Sequence, residues 1–259
     1  MRYVWEFIAI VVITLALMTL YSFSNKTIHI GKLELKKTGI KEFIVGDTAE
    51  VDAIAAADFT WQQPEMDSSK QVILFIGDSM LESLRFRMRD YCEYNGHELH
   101  TVIWYSAGTK WFGEYDTLDY FINKFKPTYI VLVLGANELF IRDVAKRRAW
   151  YVKQILRKIG DIPYVWVGPP NWKKDTGIND LILSYVGRKR FFPSYKMTLT
   201  PEFERAKDGS HPTRRSASRW MDSIAVWIMT QSAHPILMEK PPHPGKESTH
   251  TVVLQPLKN

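Results

Sequence analysis

The chain has 259 residues, of which 46% are hydrophobic and 13% aromatic, and its formal net charge is +6. This is enough apolar material for one sizeable domain with a hydrophobic core. The single cysteine, Cys92, excludes an intramolecular disulfide and any metal site built from several cysteines. The positive charges are scattered over predicted helix faces and come with no nucleic-acid-binding motif, so no nucleic-acid partner is expected.

Residues 1–24 are predicted to form an N-terminal membrane anchor or signal segment. Residues 7–21 carry no charge, and with 3–5 the apolar segment reaches about 19 residues, enough to cross a bilayer core of ~30 Å. Trp5 and Tyr21 lie where interfacial aromatic residues are expected. A cleaved signal peptide is the alternative, with "SFS" as a weak cleavage site; we favour the retained anchor.

The rest of the chain is predicted to hold a connector, one domain and a tail. Residues 25–70 have weak periodicity and resemble a stalk, whereas 234–259 are rich in proline and polar residues and predict a flexible tail. Between them, 71–233 alternate apolar strands with amphipathic helices, which predicts an α/β fold with a parallel sheet. The predicted strands are 72–76, 101–105, 128–134 and 163–168, and the main helices begin near 81, 117, 139 and 212.

Short polar motifs follow three of these strands. They are Gly77-Asp78-Ser79, Tyr105-Ser106-Ala107-Gly108 and Gly135-Ala136-Asn137-Glu138, and a fourth motif at 208–212 precedes the last helix. Because parallel strands end at one edge of a sheet, we expect the first three motifs to meet there. Each motif alone is also a common turn or helix cap.

Together these motifs contain the groups that acyl transfer needs. Ser79 is the candidate nucleophile, His211 the base that takes its proton, and Asp208 the carboxylate that orients the imidazole. An oxyanion also needs hydrogen-bond donors, and the candidates are the N–H groups of Ser79 and Gly108 and the side-chain amide of Asn137.

With these residues in place, the sequence resembles the SGNH hydrolase superfamily, also called GDSL esterases and lipases. The resemblance covers about residues 71–232 and is carried by "GDS" at 77–79, Gly108 in "YSAGTKW", "GAN" at 135–137 and "DGSHP" at 208–212. It implies a flavodoxin-like three-layer α/β/α sandwich with a central parallel sheet.

The resemblance also assigns roles to the residues. It implies that Ser79, Asp208 and His211 are catalytic, that Ser79, Gly108 and Asn137 form the oxyanion hole, and that no metal or organic cofactor is needed. The chain departs from the usual pattern at Met80 and Glu138, where leucine and aspartate are common.

The function expected from the resemblance is that of a serine esterase that removes O-acetyl groups from an envelope or extracellular carbohydrate, or acts on another ester. The loop at 168–180 follows a strand end, so Trp172 and Lys173 are expected to contact the substrate. An O-acetyltransferase with the same residues is the first alternative, and it would need a soluble donor or a membrane acyl-donor partner. A non-catalytic glycan-binding module is the second.

The expected location is a membrane, with the domain on the periplasmic or extracellular side. Membrane-anchored members of the resembled family act on envelope polysaccharides. A count of positive charges favours the opposite orientation, because four lysines follow the apolar segment, Lys26, Lys32, Lys36 and Lys37.

Overall fold

The structure is a computed structural model that describes residues 6–7, 14 and 21, two short strands, and residues 62–245 and 250–257. It divides into two compact units, Met1–Gln62 and Gln63–Asn259. The first contains the short strands His29–Ile30 and Leu33–Glu34, which pair antiparallel. In the described residues, no helix combines the length and hydropathy that crossing a membrane requires. Most of the predicted anchor and stalk lies outside these residues.

The second unit alternates strands and helices along the chain. Its strands are β1 Val72–Gly77, β2 Glu98–Trp104, β3 Tyr129–Val133, β4 Tyr164–Val167, β5 Phe191–Phe192 and β6 Thr251–Leu254. Its helices are α1 Leu81–Asn95, α2 Thr109–Glu114, α3 Thr117–Phe125, α4 Val144–Ile159, α5 Ile178–Val186, α6 Tyr195–Thr198 and α7 Arg214–Gln231.

The six strands form one sheet in the order β5-β4-β3-β1-β2-β6, and every neighbouring pair is parallel. Apart from the added edge strand β6, this is the 2-1-3-4-5 order of flavodoxin-like folds. The predicted fold class, an α/β protein with a central parallel sheet, is confirmed.

Helices cover both faces of the sheet, which gives three layers. In β1, the alternating side chains of Ile73 and Phe75 belong to one buried cluster, with residues of α1 and α7. Those of Leu74 and Ile76 belong to a second cluster, with residues of α2, α3, α4 and α5. Because both faces are dry, the central strands are apolar throughout, and burying each such side chain contributes roughly 1.5–3 kcal/mol.

The site lies at the point where the chain changes direction across the sheet. From β1 the chain crosses to β2 on one side through α1, and then back past β1 to β3 through α2 and α3. Ligands in open α/β sheets bind in the crevice at the carboxyl ends of the strands, where the order reverses. The turns after β1 and β3, which contain Ser79 and Asn137, lie at this crevice.

The C-terminal segment differs from the flexible tail that its composition suggested. Ile236 and Met238 are buried against the core, and Asp67 forms a parallel bridge with Ile236. Further on, β6 extends the sheet beside β2, with Val252 and Leu254 packed against the buried cluster. The short apolar run at 252–254 pairs with an open sheet edge, a partner that local composition does not reveal.

The helix expected from about residue 139 begins later, at Val144. A single turn of 3-10 helix, Ala136–Glu138, follows β3, and Asp143 adopts a left-handed conformation (φ 51°) just before α4. The intervening residues belong to the loops that build the site.

Gly77 provides a test of how closely β1 and β3 approach each other. A Cβ atom there would lie 2.0 Å from the Val133 carbonyl oxygen. We expect Gly77→Ala to lower the free energy of unfolding by roughly 3 kcal/mol, because backbone must move to relieve the overlap. Urea denaturation of the full-length chain measures it.

The matched control is Gly96→Ala at the end of α1. Gly96 has φ 74° but nothing within 4 Å of the added Cβ, so the cost is limited to the left-handed conformation, about 1–2 kcal/mol. Equal losses in the two variants would contradict the close approach of the strands.

Candidate active site

Ser79 lies in a tight turn between β1 and α1. The Asp78 N–H continues the strand pairing by donating to the Val133 carbonyl (3.1 Å), and the Glu82 N–H donates to the Ser79 carbonyl (3.1 Å). Helix α1 begins two residues later, so the Ser79 side chain is close to the partial positive charge of a helix N-terminus. The turn leaves the serine hydroxyl partly exposed at the carboxyl edge of the sheet.

His211 connects Ser79 to Asp208. The His211 Nε2 atom lies 2.9 Å from the Ser79 Oγ atom, and His211 Nδ1 lies 2.8 Å from Asp208 Oδ2. With an ionised carboxylate as acceptor, Nδ1 carries the proton, which leaves Nε2 free to accept the hydrogen of the serine hydroxyl. The structure thus brings the three side chains that the sequence singled out into one continuous chain of hydrogen bonds.

The Asp208 carboxylate is held by the turn that it begins. Its Oδ1 atom accepts hydrogen bonds from the Ser210 N–H (2.8 Å) and the His211 N–H (2.9 Å). These backbone donors, together with the His211 side chain, hold the pKa of Asp208 well below its usual range. Gly209 makes the turn by adopting φ 73°. The carboxylate is therefore ionised at neutral pH, and the half exposure of its side chain to water favours the same state.

Arg205 also holds the turn that contains Asp208, a role that the sequence did not predict. Its guanidinium donates to the backbone carbonyls of Ser210 (2.6 Å), Asn171 (2.6 Å) and Thr198 (2.9 Å). Three carbonyls on separate segments thereby share one cation. A basic residue in an irregular loop has no sequence signal that distinguishes it from a solvated one.

The three donors suggested for an oxyanion are present at this edge. Among the described residues, neither the Ser79 N–H nor the Gly108 N–H donates to a protein acceptor. The Asn137 side chain is exposed and donates one of its two amide hydrogens to the Ala107 carbonyl (2.8 Å), so the other hydrogen remains for a ligand.

Two buried carboxylates close to these donors were not singled out by the sequence. Asp78 is 1% exposed, and its oxygens accept from the N–H groups of Met80 (2.9 Å) and Ala136 (3.3 Å). Burial raises the pKa of Asp78 to about 7, and the Glu138 charge acts in the same direction. Glu138 is 2% exposed and pairs with Arg148. Their burial depends on loop packing, which periodicity does not encode.

Trp172 lies beside the turn that carries Asn137. Its ring is partly buried and meets the ring of Phe140 edge to face, with centroids 5.5 Å apart. The Thr176 N–H donates to the Leu139 carbonyl (2.8 Å), which ties the two loops together. Lys173 is exposed and makes no ion pair among the described residues. The structure thus places both predicted substrate-contacting residues on the loop after β4.

A buried network supports the loop of Trp172. The Asp175 carboxylate accepts from the side chains of Asn171 (2.7 Å) and Asn179 (2.8 Å) and from the Gly177 N–H (2.7 Å). Burial opposes ionisation, but these hydrogen bonds outweigh it and lower the pKa of Asp175. The part of the chain that the structure describes contains no cluster of His, Cys, Asp and Glu that could hold a metal ion.

Neither protein-family models nor curated proteins match this sequence. Among solved structures, the C-terminal catalytic domain of Streptococcus pneumoniae peptidoglycan O-acetyltransferase A aligns with 62% of this chain and 94% of its own, at 19% identity and a TM-score of 0.46. The Clostridium thermocellum family 3 carbohydrate esterase aligns over 60% and 92%, at 13% identity and a TM-score of 0.42. Esterase EstA from Pseudoalteromonas sp. aligns over 61% and 98%, at 16% identity and a TM-score of 0.42.

The raised pKa of Asp78 predicts a pH-dependent stability. A carboxyl whose pKa rises on folding binds more protons in the folded state, so its contribution is complete below about pH 4 and is lost as the pH rises through about 7. Asp78→Asn cannot ionise. Between pH 4 and 7.5 the free energy of unfolding of wild type should therefore fall relative to Asp78→Asn by up to roughly 4 kcal/mol.

Urea denaturation of both chains at intervals of half a pH unit measures this difference. A constant difference across the range would show that Asp78 has an ordinary pKa in the folded protein.

Proposed function

We propose that this chain is a serine ester hydrolase of the SGNH type that acts through an acyl-enzyme on Ser79. The observation that carries the proposal is the hydrogen-bonded chain from Ser79 Oγ through His211 to Asp208, with contacts of 2.9 and 2.8 Å. A serine hydroxyl is a weak nucleophile until a base accepts its proton, and this arrangement supplies that base in the required tautomer.

In the first half of the reaction, Ser79 Oγ attacks the ester carbonyl carbon while His211 Nε2 takes the hydroxyl proton. The negative charge that develops on the carbonyl oxygen is met by the N–H groups of Ser79 and Gly108 and by the Asn137 amide. Collapse of the tetrahedral intermediate breaks the bond to the alcohol oxygen, which leaves with the proton from His211. Asp208 stabilises the imidazolium that forms in between.

In the second half, water attacks the acyl group on Ser79. His211 takes a proton from the water and returns it to Ser79 Oγ as the acid departs. The exposure of the base favours water as the acceptor: the His211 side chain is 36% exposed and that of Asp208 is 50% exposed. A transferase would need to keep water away from this position, so we favour hydrolysis over acyl transfer.

The proposed substrate is an O-acetyl group or a similar ester on a carbohydrate. Sugars stack on aromatic rings, and Phe140, which is 47% exposed, forms an aromatic pair with Trp172 beside the Asn137 turn. Lys173 adds an exposed positive charge, which suits an acidic glycan. We further propose that residues 1–24 hold the domain at a membrane, next to envelope or extracellular carbohydrate.

Ser79→Ala tests the chemistry directly. Acetate release by the full-length chain from an aryl acetate and from acetylated glycans should fall by roughly 10⁴-fold or more, because the nucleophile is gone. Ser223→Ala, which removes a hydroxyl that donates to the Arg219 carbonyl within α7, is the matched control and should keep full activity. Equal activity of wild type and Ser79→Ala would refute the assignment.

The same assay separates hydrolase, transferase and binding module. Steady release of acetate without any sugar added is the result expected of a hydrolase. Acetylation of Ser79 with little release until a sugar hydroxyl is supplied would instead establish a transferase. A folded wild-type chain that is not acylated at all would leave only the glycan-binding role.

Phe140→Ala and Lys173→Ala test the carbohydrate surface. Each should raise KM for an acidic acetylated glycan by roughly 5–20-fold, because each removes a contact of about 1–2 kcal/mol, and leave kcat/KM for aryl acetate unchanged. Tyr94→Ala, which removes an exposed ring near the far end of α1, is the control. Parallel losses on both substrates would mean that the variants disturb the reaction centre and not glycan binding.

A further inference from the structure

The Glu138 carboxylate joins the turn after β3 to the loop after β2 and to α4. Its Oε2 atom accepts from the Thr109 N–H (2.8 Å), and its Oε1 atom accepts from the Thr109 hydroxyl (2.8 Å) and from Arg148 Nε. Only 2% of Glu138 is exposed, so these three donors replace the water that the carboxylate has lost.

These contacts lie one residue away from two of the proposed oxyanion donors. Thr109 follows Gly108 directly, and Glu138 follows Asn137 directly. A second link joins the same loops, because the Asn137 amide donates to the Ala107 carbonyl. The backbone on both sides of Gly108 is therefore bound to the turn that carries Asn137.

The fit between Glu138 and Gly108 is close. A Cβ atom on Gly108 would lie 2.8 Å from Glu138 Cδ and 3.0 Å from Glu138 Oε1. The Glu138 carboxylate thus packs directly on the backbone of Gly108, whose N–H donates to no acceptor among the described residues. A side chain at position 108 would overlap with the carboxylate. Arg148, on α4 and 19% exposed, forms an ion pair with the buried carboxylate and connects the pair of loops to the helical layer.

We propose that Glu138, held by Arg148, is a positioning residue that fixes the Gly108 N–H and the Asn137 amide in the geometry needed to bind the oxyanion. The proposal rests on the proposed function. Donors stabilise a transition state efficiently only when they are fixed before the reaction, since a loop that must be ordered during the reaction loses much of the benefit. The loops of Gly108 and Asn137 are joined by the hydrogen bonds from Thr109 to Glu138 and from Asn137 to Ala107, so their donors are held in place before a substrate binds.

Glu138→Gln tests the role. It keeps the size of the side chain, but its NH₂ end cannot accept from Thr109 or Arg148. For aryl acetate we expect kcat to fall about 10–100-fold, less than the 10²–10³-fold typical of deleting one donor, with KM within about twofold of wild type. The control is Asp222→Asn, which breaks a partly buried pair with Arg87 (2.7 Å) between α1 and α7 and should leave kcat unchanged.

A double-mutant cycle with Asn137→Ala separates positioning from a general effect on stability. If Glu138 acts through the oxyanion donors, its substitution should cost at least threefold less in the Asn137→Ala background than in wild type. Equal costs in the two backgrounds, or wild-type kcat in folded Glu138→Gln, would overturn the proposal.

Thr109→Val serves if Glu138→Gln does not fold. It keeps the N–H and the side-chain shape but removes the hydroxyl that donates to Glu138, and kcat should fall about 3–10-fold at unchanged KM, since one of the two Thr109 hydrogen bonds to the carboxylate is lost while the other remains. Full activity of this variant would also overturn the proposal. An inactive wild-type chain would refute the proposed function, whereas active wild type with active variants would refute only the role of Glu138.

Discussion

Hydrogen bonds from backbone N–H groups to two buried carboxylates hold together the loops at the carboxyl edge of the sheet. Asp78, in the turn after β1, accepts from Ala136 in the turn after β3. Glu138, in that second turn, accepts from Thr109 in the loop after β2. Each loop would otherwise have freedom to move, because the strands fix only its first residue. Together with the hydrogen bond from the Asn137 amide to the Ala107 carbonyl, these two side chains connect the loops that carry Ser79, Gly108 and Asn137.

The two buried acids meet the cost of burial in different ways. Glu138 forms an ion pair with Arg148, whereas the Asp78 carboxyl accepts from two backbone N–H groups that offset its burial only in part, so burial raises its pKa to about 7. Asp208 is a third carboxylic acid of the site, and its side chain is half exposed. Exposed and held by N–H groups, it stays ionised beside His211. The three acids thus differ in exposure and in partners: Asp208 contacts His211, whereas Asp78 and Glu138 join the loops.

The residues of the proposed site differ in their exposure to solvent. His211 and Asp208 are partly exposed, so the proposed base is open to ester and water. Of the proposed oxyanion donors, the Gly108 backbone packs against the buried Glu138 carboxylate, whereas the Asn137 side chain is exposed. Burial strengthens the hydrogen bonds of Glu138, because the surrounding dielectric is low. The aromatic pair of Phe140 and Trp172 lies beside the Asn137 turn, where we propose that it contacts a carbohydrate.

The sequence by itself determined the α/β class and the place of the motifs at strand ends. Apolar runs of strand length, such as 129–133, and the helical spacing after each of them depend on local periodicity, which survives without tertiary information. It also singled out Ser79, Asp208 and His211, because together they supply the nucleophile, base and carboxylate that acyl transfer needs. The resemblance to the SGNH superfamily supplied the order of layers that the structure has.

Tertiary structure decided the features that depend on contacts between distant residues. The pairing of β6 with β2, the bond between Glu138 and Thr109, and the support from Arg205 each join segments separated by other elements or by irregular loops. No periodic pattern marks such pairs, since a charged residue or a short apolar run has the same local sequence whether it is buried or solvated. Their roles follow only from the packing that removes water from around them.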